Sequence, residues 1–189
     1  MLVLPSARAL VLVVAVVGAV FLNERERPSV FQSAFASQAQ GKTIPPATCP
    51  FTQPPTEPFV PPAPYPTELW ADGFWLGSEK LWTMRRRDGL WRGYWVVDPK
   101  SGVRHEIYFD KVFWWRKGYD WRKENPPELK VTGKRLDAQA PPFYVNRANP
   151  AFIKIPAMLT GIDVPSVGCW EITGDYKGDK LSFVVWVVP

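Results

Sequence analysis

Short apolar runs separated by turn residues fill residues 67–189, and they constrain the fold more than any other feature of the chain. Asp88-Gly89 separates LWTMRR from LWRGYWVV, Asp98 to Gly102 precedes RHEIYF, and residues 177–179 precede KLSFVVWVV. This punctuation is typical of β-hairpins, and no window shows a 3.6-residue apolar period. We predict strands near residues 80–86, 91–97, 105–115, 128–135, 151–159, 167–174 and 180–188.

Seven short strands with turns between them predict an all-β domain, an immunoglobulin-like β-sandwich of two sheets. Alternation over residues 128–134 predicts a half-buried strand with Leu129 and Val131 on one face. The last strand, Leu181 to Val188, is apolar on both faces apart from Ser182. We therefore expect it to lie centrally and to be covered on both sides or nearly so.

The stretch from Pro45 to Pro66 contains 10 Pro in 22 residues. Because proline lacks the amide donor and restricts φ, this composition excludes helix and central strand and predicts an extended, polyproline-like segment. We interpret it as a spacer between membrane and domain; a ligand for a proline-recognising module is the alternative. Either way the segment is not wholly free, because it contains Cys49.

An unbroken apolar run of 14 residues, Ala9 to Leu22, predicts an amino-terminal hydrophobic helix. It is shorter than the roughly 20 residues a spanning helix needs and is typical of a signal peptide. Cleavage stays open, because the small-x-small site Ala34-Phe35-Ala36 lies well beyond the run. We predict a signal peptide or signal anchor over 1–27, a Pro-rich extended linker over 28–66 and a β-sandwich domain over 67–189. The protein is then extracytoplasmic, either membrane-anchored or secreted.

Cys49 and Cys169 are the only cysteines of the chain, and in an oxidising compartment they predict one intramolecular disulfide. Alternation over residues 167–173 places Trp170 and Ile172 on one face and Cys169 on the other. With Trp170 towards the core, the bridge ties the Pro-rich segment across the outer side of this strand. A catalytic Cys169 activated by His105 is the alternative.

The run PSVGCWEITG at Pro165 to Gly174, followed by LSFVVWV at Leu181 to Val187, resembles a motif of exported bacterial proteins of uncharacterised function. Those proteins also carry an early cysteine, as in Thr48-Cys49-Pro50, an early Leu-Trp strand, as in Leu81-Trp82, and a Gly-x-Arg-Leu-Asp segment, as in Gly133 to Asp137. The likeness covers most of residues 48–188. It implies an envelope location, a disulfide and a β fold, without implying an activity.

Positive charge and aromatic rings are concentrated in the same half of the domain. Between Lys80 and Arg135, 15 Lys and Arg stand against 7 Asp and Glu, whereas residues 136–189 carry 4 against 5. Cations interleaved with flat rings suit a nucleic acid, an anionic envelope polymer or an anionic membrane surface, and export disfavours the nucleic acid. The alternative is ordinary: the rings fill the core while the cations solvate the outside.

Within that half, residues 114–123 (WWRKGYDWRK) form the best single patch, and Gly118 together with Pro126-Pro127 predicts a loop over 116–127. We predict that its cations attract an anionic partner and its rings supply contact area. The predicted ligand-binding residues are Arg116, Lys117, Arg122, Lys123, Trp115, Tyr119 and Trp121.

Local motifs of catalysis are missing: there is no Gly-x-Ser-x-Gly, Ser-x-x-Lys or His-Glu-x-x-His. One His and two Cys exclude a four-ligand structural zinc site built only from those residues. We therefore predict a non-enzymatic envelope-associated binding module without catalytic residues, metal or cofactor. A hydrolase that uses two carboxylates needs no local motif, so a small envelope hydrolase using Glu171 is the alternative. Its second carboxylate would come from Asp72, Glu106, Asp110 or Asp120.

Overall fold

Every regular element in the described part of the protein is a β-strand. The structure, a computed structural model, describes residues 44–68, 72–141, 143–153 and 155–189, all of which belong to one unit, Gln40–Pro189. The strands are β1 (Gly73–Ser78), β2 (Leu81–Arg86), β3 (Leu90–Arg92), β4 (Tyr94–Val97), β5 (Arg104–Trp115), β6 (Leu129–Arg135), β7 (Tyr144–Val145), β8 (Asn149–Ile153), β9 (Ile155–Val164), β10 (Gly168–Tyr176) and β11 (Asp179–Val188). This confirms the all-β class. The apolar run at residues 9–22 and the predicted helix there lie outside the described residues. Among those that are described, no helix is long and apolar enough to cross a membrane.

The strands form two sheets. The larger has the order β1-β2-β5-β9-β7, with β4 also pairing with β5 and β8 with β9. The smaller has the order β3-β11-β10-β6, in which β3 and β11 are parallel neighbours. As predicted, β11 lies inside its sheet, between β3 and β10.

Two predicted strands are each divided in the structure, and two further strands, β1 and the two-residue β7, were not predicted. The predicted strand 91–97 breaks at Gly93, whose N–H donates to the carbonyl of Val188 (2.8 Å). On either side of this residue, β3 pairs with β11 and β4 pairs with β5, in different sheets. The predicted strand 151–159 is instead a pair of antiparallel strands, β8 and β9.

Buried side chains of both sheets form one core cluster. Trp114 of β5 in the larger sheet packs against Phe183 of β11 in the smaller, with ring centroids 5.8 Å apart. Gly174 of β10 leaves room for this packing, because a Cβ there would lie 2.7 Å from the Cη2 atom of Trp114. The small sheet follows the predicted alternation, since Trp170 and Ile172 belong to the core cluster.

The later part of the Pro-rich segment lies on the opposite face of the larger sheet. Its described part, residues 44–66, contains neither helix nor strand, as predicted. Phe59 and Tyr65 pack on Trp82, with ring centroids 5.6 and 4.8 Å away. The Tyr65 hydroxyl donates to the carbonyl of Arg116 (2.6 Å) and so ties the segment to the loop after β5.

Asp88, in the turn between β2 and β3, makes the stability of the fold depend on pH. Its carboxylate accepts hydrogen bonds from Arg86 (3.0 Å), Arg92 (3.1 Å) and the Leu90 N–H (3.0 Å). Burial opposes ionisation, but these bonds outweigh it and lower the pKa of Asp88 from 3.8 to about 2.

Because the folded pKa of Asp88 is depressed, its ionised form stabilises the fold above pH 3.8, and this contribution is lost as the pH falls towards 2. We expect D88N to lose less stability than the natural chain between pH 4 and pH 2. Urea unfolding at a series of pH values measures both slopes. Identical slopes would contradict the assignment.

Candidate ligand-binding site

The predicted disulfide between Cys49 and Cys169 is present, with the two Cα atoms 5.6 Å apart. Cys169 lies on the outer side of β10, opposite in direction to Trp170, and the segment around Cys49 covers it so that it is buried. The sequence alternative of a catalytic Cys169 is therefore wrong for this oxidised chain, because the sulfur is bonded to Cys49. His105, its proposed base, lies exposed in β5.

The aromatic residues of the predicted loop site point largely inward. Trp115 is 1% exposed and packs edge-on against Trp75, with ring centroids 5.3 Å apart. Tyr119 is buried in the core and meets Tyr176 edge-on. Trp121 is half-buried against the same core. Burial removes Trp115 and Tyr119 from the contact area that this loop offers to a partner.

The four predicted cations lie in the loop after β5, and each has a partner within the protein. Arg116 contacts Asp179 (3.6 Å), Lys117 contacts Glu79 (2.8 Å) and Lys123 contacts Asp120 (3.7 Å). The guanidinium of Arg122 lies 4.9 Å from the ring centroid of Trp121. The cavity beside this loop, about 410 Å³, is lined by carboxylates as well as cations. Internal pairing thus weakens the positive field that the sequence predicts here.

A hydrogen-bonded network centred on Glu124 holds the loop. The carboxylate accepts bonds from the Tyr176 hydroxyl, the Lys177 ammonium and the Glu128 N–H, each at 2.6 Å. Burial would raise the pKa of Glu124, but these bonds outweigh it and lower that pKa. Burial together with the charge of Glu124 raises the pKa of Tyr119 to about 12. Tyr119 is therefore an uncharged part of the core at neutral pH.

The exposed aromatic surface lies instead on the hairpin formed by β4 and the start of β5. Trp95 is 55% exposed, Val97 61% and Val103 60%, and Tyr94 beside them is also exposed. The guanidinium of Arg104 lies 4.7 Å from the centroid of the Trp95 ring. The sequence predicted the turn of this hairpin but not its exposed aromatic surface. The available signal was YWVV, a run that is apolar on both faces next to a polar turn.

The Asp98 turn fixes the tip of this hairpin. Its carboxylate accepts hydrogen bonds from the N–H groups of Lys100 (2.7 Å) and Ser101 (3.0 Å), and Gly102 has a positive φ of 70°. Cross-strand register then places Trp95 opposite Glu106 and Val97 opposite Arg104. Trp95, Val97, Arg104 and Glu106 therefore share one face of the hairpin, so that face carries one acidic side chain as well as the cation.

The candidate carboxylates are spread over the fold. Glu171 lies on the outer side of β10, opposite Lys134 of β6, where a charge pair is an ordinary neighbour. Glu106 accepts a hydrogen bond from the Tyr108 hydroxyl (3.0 Å). Asp72 precedes β1, Asp110 lies in β5 and Asp120 in the following loop. Within the described ranges, no three His, Cys, Asp or Glu side chains are grouped so that they hold a metal ion.

No protein family, curated protein or solved structure matches the chain.

Proposed function

We propose that this protein is a non-enzymatic, exported module of the cell envelope that binds an anionic membrane surface through basic and aromatic side chains. The β4–β5 hairpin is the observation that carries this proposal, because it exposes Trp95 beside Arg104 on one face and Tyr94 on the other. Exposed Trp and Tyr rings suit the headgroup region of a membrane, where the ring is partly buried and its polar group stays wet. Arg and Lys in the same region meet lipid phosphates.

The disulfide supports export, since such bonds persist in oxidising compartments. The apolar run at residues 9–22 and the resemblance to exported bacterial proteins point the same way. In our proposal the protein is membrane-anchored or secreted, and its domain is an immunoglobulin-like sandwich. That architecture is supported by two sheets that share one core containing Trp170.

The cations of the predicted loop have a secondary role in the proposed membrane binding. Lys117, Arg122 and Lys123 are exposed despite their contacts within the protein, so they still contribute to long-range attraction at low ionic strength. Arg116 is more enclosed, between Asp179 and the ring of Tyr176. We propose that the hairpin makes the contact with the membrane and that the loop cations attract the protein towards it.

The alternatives differ from the membrane proposal in observable ways. An anionic envelope polymer would retain the protein on isolated cell-wall material but not on vesicles. A hydrolase using Glu171 would require a second carboxylate facing it across a cavity. Glu171 instead lies opposite Lys134 and Val184 on the neighbouring strands, which favours the binding module.

Quenching of tryptophan fluorescence by brominated lipids tests the membrane contact in the full-length chain. All ten Trp lie beyond residue 66, so an amino-terminal membrane anchor alone contributes no tryptophan to the signal. We expect vesicles of anionic brominated lipid to quench the natural chain, and W95F to lose most of that quenching. Higher salt and zwitterionic lipid should both reduce it, because the attraction is electrostatic.

W121F is the matched control, since Trp121 lies half-buried in the predicted loop. It should retain the quenching of the natural chain. Loss of quenching in W121F but not in W95F would show that the loop, rather than the hairpin, contacts the membrane. Absence of quenching in the natural chain would reject membrane binding.

A further inference from the structure

β2 and β5 separate after two paired positions, which end at Thr83 and Trp114. The Thr83 hydroxyl donates to the carbonyl of Phe113 (2.7 Å) where the backbone ladder stops. Each strand remains paired with its other neighbour, β1 or β9, beyond this point. Between them, residues 84–86 of β2 and 110–113 of β5 line a cleft of about 370 Å³.

Arg85 lies in this cleft on the core-facing side of β2. Alternation from Leu81 and Thr83 places it at a position where apolar side chains are usual, and it is only 9% exposed. The Cζ atom of its guanidinium lies 4.1 Å from the ring centroid of Phe183 and 5.9 Å from that of Trp91. Burying a charge is costly, and these ring contacts offset part of the cost.

Stacking uses the face of the guanidinium and leaves the N–H donors at its edge. Among the described residues, no oxygen accepts a hydrogen bond from these donors, and Asp110 acts on Arg85 only through longer-range attraction. Burial lowers the pKa of Arg85 to about 10, so the group remains charged at neutral pH. A charged, buried planar donor in a cleft is complementary to a carboxylate or a phosphate.

The other side chains of the cleft narrow the class of ligand. Lys111 adds positive charge, Arg86 is paired with Asp88, and Asp110 adds one negative charge. Val112 and Phe113 supply apolar wall. This combination fits an anionic head group attached to an apolar body better than a free inorganic ion.

We propose that the cleft between β2 and β5 binds a carboxylate or phosphate group carried on a small apolar body, with Arg85 donating hydrogen bonds to the anion. The residues of the cleft are not those of the exposed hairpin. The proposal for the cleft is therefore independent of membrane binding by the hairpin.

Calorimetric titration of the full-length protein tests it with three matched probes: phenylacetate, phenyl phosphate and uncharged phenylacetamide. We expect saturable binding of at least one anion and none of the amide, and the preferred anion identifies the head group. In ¹⁵N spectra, the Nε–H resonance of Arg85 should shift with the same saturation curve.

Three variants test whether Arg85 binds the anion directly or only contributes to the overall positive charge. R85Q should weaken anion binding by about ten- to a hundredfold, because it removes charged hydrogen bonds. R87Q removes the same charge from an exposed neighbour outside the cleft lining and should change affinity little. D110N should tighten binding, because it removes the negative charge beside the anion.

Absence of saturable binding, equal binding of the amide, equal losses in R85Q and R87Q, or unchanged affinity in D110N would each overturn the proposal. If R85Q does not fold, the Arg85 resonance of the natural chain decides: a resonance that stays in place as the anion is added rejects the site.

Discussion

Removing the Cys49–Cys169 disulfide is expected to lower the free energy of unfolding by about 2–5 kcal/mol. The bond joins residues 120 positions apart, so it restricts the unfolded chain over most of the domain. It also holds the Pro-rich segment on the outer side of β10, where both cysteines are buried. Urea unfolding of a C49S/C169S double variant, compared with the oxidised natural chain, measures the loss.

T52V is the matched control for this prediction. Thr52 also ties the Pro-rich segment to the small sheet, because its hydroxyl accepts the Val184 N–H (2.8 Å), but the tie is not covalent. We expect T52V to cost about 1 kcal/mol, the usual worth of one hydrogen bond. A double cysteine variant as stable as the oxidised chain would show that the crosslink does not stabilise the fold.

Replacing Trp114 by Ala is expected to cost about 3–5 kcal/mol, the usual range for a large buried aromatic side chain. Trp114 is fully buried at the contact between the two sheets, against Phe183. Its Nε1–H donates a hydrogen bond to the buried Thr160 hydroxyl (3.0 Å), and truncation removes that donor. Gly174 cannot fill the resulting space, because it has no side chain.

W95A makes the same chemical change at the exposed Trp of the hairpin. Surface substitutions usually change stability by less than about 0.5 kcal/mol, so thermal unfolding of W95A should nearly match that of the natural chain. Equal destabilisation in W114A and W95A would contradict the assignment of Trp114 to the core and of Trp95 to the surface.

Strand positions were predictable where their determinants are local. The period-2 alternation of β6 and β10, and the turns around Asp88 and Asp98, depend on neighbours in the chain. The break at Gly93 was not predictable in this way. It follows from a partner far along the chain, since β3 pairs with the end of β11, whereas β4 pairs with the nearby start of β5.

The candidate site was predicted in composition but not in position. Trp95 and Trp115 are the same residue type in the same basic half of the chain, yet one is exposed and the other is buried. The difference comes from the packing around them. Trp115 lies in a cluster that includes Trp75, Phe59 and Tyr65, whereas the ring of Trp95 lies near Arg104 on an exposed hairpin.

Alternation, turn residues and a single pair of cysteines determined the all-β class and the disulfide, because each depends on local backbone preference or on the only pairing available. The tertiary structure alone decided which rings face solvent and that Arg85 lies buried in a cleft between β2 and β5. Those outcomes depend on which distant strands meet and where their pairing stops. Long-range packing sets both, and no local pattern records it.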